Sequence, residues 1–181
     1  QVIDTGLKRS VADVLVQLGI EEAKVVSATA AIVSAYDDGT LSPFGSVRAL
    51  RSRGITYVQE HAETLVAWAK FVGPLWQDHR IVSKTVLCAF IEIAARLDKE
   101  KAMAFVRHLL VGDVPESAIF DLRERLIRNA TIKRAKMLSP QILALFVKAF
   151  RAWLVSERPG VLKIASGEEF PRLEPVQIEG Q

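Results

Sequence analysis

The chain has 181 residues, half of them apolar and a quarter charged, and 24 Lys and Arg against 21 Asp and Glu leave a formal net charge of +3. That is ordinary for one globular domain, with or without an appendage, and the slight basic excess permits a nucleic-acid partner without implying one. No apolar run reaches the ~18–20 residues of a membrane span and no signal-peptide pattern opens the chain, which excludes a membrane protein and predicts a cytoplasmic one.

The single cysteine, Cys88, rules out an internal disulfide framework and suits a reducing compartment. The chain opens at Gln1 without an initiator Met, so a longer polypeptide is expected. Residues 1–9 read as extended. Ser10 with Asp13 resembles a capping box for a short helix, Val11 to Leu18, stopped at Gly19. Glu21 and Glu22 lead a small-residue-rich helix to Tyr36, and DDGTLSPFG after it is a loop that Pro43 keeps from helix.

A short helix, Ser46 to Arg53, closes at Gly54. Thr56 with Gln59 then predicts a capping box for a helix to about Val72, broken by Gly73-Pro74. Its core face is Val58, Ala62, Leu65, Ala69 and Val72, with His61 and Trp68 at one margin, and Leu75 to Arg80 adds at most a further turn. The pair of helices from Ser46 to Val72 has the outline of a helix-turn-helix. Glu60 and Glu63 near the start of its second helix would repel phosphates, which favours an ordinary hairpin.

The stretch SKTVLCAFIEIAARLD, residues 83–98, is the most apolar in the chain. Ser83 caps it, and Val86, Leu87, Phe90, Ile91, Ile93, Ala94 and Leu97 cover one broad face at ~100° per residue. Its interior charges, Glu92 and Arg96, stand four apart in the order that favours an i,i+4 pair. A helix this apolar belongs in the middle of a bundle. Asp98 can cap a next helix from Lys99 to Val111, ended by GDVP. A helix from Glu116 or Ser117 to Asn129 follows, then a basic connection. Ser139-Pro140 reads as N-cap plus N1 of a last helix to about Ser156. The predicted fold is all-α, a multi-helix bundle over 1–160 around the central helix 83–98, with an irregular tail, 161–181, lying extended on the bundle or trailing from it.

Little chemistry is written in the motifs. There is no Gly-rich phosphate loop, no nucleophile elbow and no His or Cys pair at metal-ligand spacing, so no catalytic residue, metal or cofactor is assigned. His61, His79 and His108 lie on different elements. A dispersed site using His61 or His79 with Asp37, Asp38 or Glu60 is the weakest of the readings. Cys88, on the most buried helix, reads as a small hydrophobe, and Trp68, Trp76 and Trp153 as core or margin residues. Arg123 falls on the apolar arc of its helix and needs an acidic or carbonyl partner, or must snorkel.

Arg125, Arg128, Lys133, Arg134 and Lys136 occur with no acid among residues 125–136, and Lys148 and Arg151 follow on the next helix. These seven side chains are the candidate nucleic-acid-binding residues, giving salt-sensitive phosphate contacts; the other reading is a solvated connector. No aromatic residue interleaves the basic run, which argues against a single-strand stacking platform.

The segment VIDTGLKRSVADVLVQLG (residues 2–19), a helix near Ser83, GDVPES before IFDLRERL, the run Phe150, Arg151, Ala152, Trp153, and LKIASGEEFPRL together resemble the helical C-terminal half of phage and prophage proteins whose preceding half is ParB-like. In that family DNA binding, nucleotide binding and occasional nuclease activity reside in the preceding half, so the resemblance carries over no catalytic residue. It implies a non-enzymatic accessory domain that assists DNA association or self-association. The alternative is a phage product that engages a host protein, which exposed apolar residues would mark.

Overall fold

The computed structural model describes residues 10–50 and 54–174, which form six α-helices and no strand. The extended segment expected over residues 1–9 lies outside the described residues, as do residues 51–53 of the short helix expected from Ser46. The helices are α1 (Val11–Gln17), α2 (Ala23–Asp37), α3 (Ile55–Asp78), α4 (Lys84–Val111), α5 (Ala118–Thr131) and α6 (Ser139–Leu154). The architecture is the all-α bundle the sequence predicts. Among the described residues no helix is long and apolar enough to cross a membrane.

The apolar stretch is the bundle's centre. Every residue from Val86 to Ala94 is buried, Glu92 included. α4 is helical in two limbs, 84–97 and 99–111, separated by Asp98 at φ −158°, ψ 104°. Asp98 Oδ1 accepts from the Lys101 amide at 3.0 Å and so caps the second limb. Phe90 and Phe105 show how sharp the break is. A straight helix would hold them about 22 Å apart, yet their ring centroids are 5.1 Å apart. The chain therefore folds back at Asp98, and both rings meet Phe146 and Phe150 of α6. Helices α2 and α3 pack on α4 and on each other, while α5 and α6 pack together and on α4.

Several local expectations give way in the structure. The helix expected to break at Gly73-Pro74 runs through both residues to Asp78. A proline inside a helix costs about 3 kcal/mol or more, and what holds the extra turn is tertiary. Leu75 and Trp76 pack against the core, the Trp76 indole donates to Val82 O at 2.6 Å, and Arg80 and Lys84 flank its ring.

The expected Thr56–Gln59 capping box is absent. α3 starts from Gly54 with no side-chain cap. Gly54 has an ordinary φ of −85°, and what it supplies is room, since a Cβ there would lie 2.9 Å from the Ala31 amide nitrogen. Before it, residues 47–50 form a 3-10 turn, the part of the expected Ser46–Arg53 helix that lies within the described residues. At α6 the cap shifts by one residue, to Leu138, with Ser139 as the first helical residue. Pro140 tolerates this because the first turn's N–H groups lack helical partners in either register.

The chain beyond α6 lies against the bundle to residue 174. Leu162 and Phe170 are buried, Phe170 edge-on to Tyr36 at 5.8 Å. The Leu173 amide donates to the Tyr36 hydroxyl at 3.0 Å, while Arg172 donates to the Tyr36 carbonyl and covers its ring at 4.4 Å. Lys148 on α6 pairs with Glu168 and donates to Lys163 O at 2.9 Å.

Candidate nucleic-acid interface

The acid-free run begins on α5, whose apolar side packs on α4 and α6 through Ile119, Leu122 and Leu126. Arg125 and Arg128 fall on the opposite, exposed side. After Thr131 the chain folds back on the helix's last turn, because Asn129 Oδ1 accepts from the Met137 amide at 2.9 Å. Lys133, Arg134 and Lys136, all exposed, are thereby held beside the C-terminal end of α5. Cations suit that end, where the helix's free carbonyls concentrate partial negative charge. None of these five cations forms an ion pair with a carboxylate among the described residues.

The two remaining candidates go elsewhere. Lys148 is spent on the tail, and Arg151, though exposed, lies outside the cleft described next.

Alongside α5 the tail builds the second wall of a cleft of about 590 Å³. Arg125, Arg128, Asp121, Glu124 and Phe120 line it from α5, and Arg158, Val161, Leu162 and Lys163 from the tail. Arg158 forks onto Asp121, with Nε–Oδ2 at 3.1 Å and NH2–Oδ1 at 3.0 Å, and so ties the tail to the helix. With that pair mutually neutralised, Arg125, Arg128 and Lys163 face a single acid, Glu124. The sequence reading had missed Arg158, Lys163 and Phe120. Phe120 was within reach, since residues 120, 124 and 128 recur at helical spacing. No local signal marks Arg158 or Lys163, whose place depends on the tail's path.

Other expectations resolve as structural devices. Arg123 finds carbonyl partners: its NH1 donates to Leu109 O and Leu110 O at 2.8 Å each and caps α4. Gly112, at φ 80°, leaves room for it, since a Cβ there would lie 2.6 Å from Arg123 Nε.

The expected Glu92–Arg96 pair does not form. Glu92 turns inward and accepts from the Tyr57 hydroxyl and, at 2.6 Å, from the Trp68 indole N–H. Arg96 reaches Asp37 at 2.5 and 3.0 Å and donates to the Tyr57 hydroxyl at 3.0 Å. Burial, and then the hydrogen bond to Glu92, push the Tyr57 hydroxyl well above its ordinary value, so it remains a proton donor. This network stitches α2, α3 and α4 together.

His61 stacks on Tyr57 at 4.3 Å, but His79 ends α3 eighteen residues away, about 27 Å along a helix. The described residues contain no group of three or more His, Cys, Asp and Glu placed to hold a metal ion. Cys88 is buried, and that burial pushes its thiol up to about 12, consistent with a small hydrophobe.

On another face, Val14, Leu18 and Ile55 are exposed along an apolar groove of about 360 Å³ between α1 and α3. Comparison of the chain with known protein families, curated proteins and solved structures finds no match.

Proposed function

We propose that the chain is a non-enzymatic helical accessory domain that helps attach a longer, ParB-like phage protein to DNA through phosphate contacts. The observation that carries this reading is the set of five exposed cations, Arg125, Arg128, Lys133, Arg134 and Lys136, held together without a carboxylate partner among the described residues. A solvated connector needs no such arrangement, whereas a phosphate backbone gains from every cation that displaces a counterion. Direct readout of bases is not part of the proposal: backbone contacts position a protein on a duplex and carry no sequence information by themselves. Association with another protein would use the apolar α1–α3 groove, but nothing among the described residues indicates its occupant.

Duplex binding measured by fluorescence anisotropy across a salt series tests the proposal. Five phosphate contacts predict that log Kobs falls with log[salt] at a slope of about −4.5. Lys133→Glu, Arg134→Glu and Lys136→Glu together, all at exposed positions, should flatten that slope to about −2 and weaken binding on any sequence. A chain with no affinity for duplex DNA at low salt would sink it.

A further inference from the structure

We infer that the cleft between α5 and the tail takes one unpaired nucleotide of a single-stranded nucleic acid. This rests on the phosphate-binding reading and adds which form of nucleic acid the site prefers.

Three observations lead there. The cleft, at about 590 Å³, is of the size that holds one small ligand, ~300–1,000 Å³, and is lined from two sides of the chain. Its lining is mixed in a particular way. Phe120, Val161 and Leu162 supply apolar surface, while Arg125, Arg128 and Lys163 supply charge that Glu124 only partly offsets. A phosphate alone has no use for the apolar part, and an apolar ligand has none for the cations. A nucleotide with its base free has use for both. Finally, Arg158 is held by Asp121, so the tail wall of the cleft is tied to α5 without a ligand, while Arg125, Arg128 and Lys163 stay exposed to meet one.

A duplex cannot use this site fully. Its bases are stacked inside, so it offers phosphates to the exposed cations and leaves the Phe120 surface wet. A single strand offers a base face to the aromatic ring and its phosphate to the flanking cations, the combination that sequence-tolerant single-strand binders use. The basic run carries no aromatic residue of its own; the helical repeat supplies one from the preceding turns.

The test is anisotropy of labelled oligo(dT), about ten nucleotides long, against a duplex of equal phosphate number. Wild type is expected to bind oligo(dT) at least about fivefold more tightly, and Phe120→Ala to weaken oligo(dT) about tenfold while leaving the duplex unchanged. Phe120 is only half-buried, but its truncation can disturb α5. Phe120→Leu, which keeps an apolar filler and removes the π-face, and exposed Lys163→Ala are therefore measured beside it, each with a thermal melt. Both should lower oligo(dT) affinity selectively.

Equal affinity for the two forms, with none of the three variants selective, overturns the cleft assignment and leaves the duplex proposal standing. Poly-glutamate competing as well as oligo(dT) also overturns it, since charge alone would then be recognised. Loss of all binding at low salt removes both proposals together.

Discussion

Glu92 shows how much one side chain can decide. It is 7% exposed, at the centre of the most apolar helix, and two donors converge on it from α3. A carboxylate in that position is tolerated because its oxygens are occupied, and removing it would leave the buried Trp68 N–H without an acceptor and the half-buried Tyr57 hydroxyl without its own. Glu92→Gln places an amide NH₂ against a donor and should lower unfolding free energy by about 1–3 kcal/mol, read from a denaturant midpoint. An unchanged midpoint would mean that the donors find other partners. The sequence placed Glu92 on the right helix but paired it with Arg96, since i,i+4 spacing is the local rule. A buried aromatic donor pair from α3 outcompetes it.

At the scale of the element, helix limits follow contacts more than composition. α3 continues through Gly73-Pro74 because the Trp76 turn has a place to dock, and its N-cap Gly54 sits where only hydrogen fits against α2. Gly54→Ala would set a Cβ 2.9 Å from backbone nitrogen and 3.1 Å from the Ala30 methyl. It should cost about 1–3 kcal/mol. Gly160→Ala, where nothing lies within 4 Å, should stay within about 0.5 kcal/mol. Thermal melts of the two variants separate a packing role from a merely flexible one. Equal destabilisation of both would contradict the close α2–α3 approach. By contrast the Asp98 break, the Ser83 cap and the Ser10–Asp13 box were all legible, because each is written in neighbouring residues.

For the whole molecule, the tail makes the bundle a closed object. It binds α5 through Arg158, α6 through Lys148 and α2 through Tyr36, and in doing so completes the basic cleft. Hydrogen bonds from Lys148 and then from the Ala165 amide hold the Glu168 carboxyl below its ordinary 4.5. A depressed folded-state value means that the contact contributes fully above about pH 4.5 and is lost as pH falls through the lower folded value. Lys148→Met should therefore be less stable than wild type at neutral pH, with the gap closing in acid. Parallel stability profiles over that range would show that the pair contributes nothing to holding the tail.

The sequence by itself determined the helical class, the buried centre at residues 83–98, the helix break at Asp98 and the acid-free basic run. Periodicity, capping and charge spacing are properties of adjacent residues, and they survive whatever the rest of the chain does. Only the tertiary structure decided where Glu92, Arg96 and Arg123 find partners, that Lys148 leaves the basic surface, and that Arg158 and Lys163 join it. Those outcomes depend on which segments become neighbours when the chain folds back, and separation along the sequence carries no trace of that.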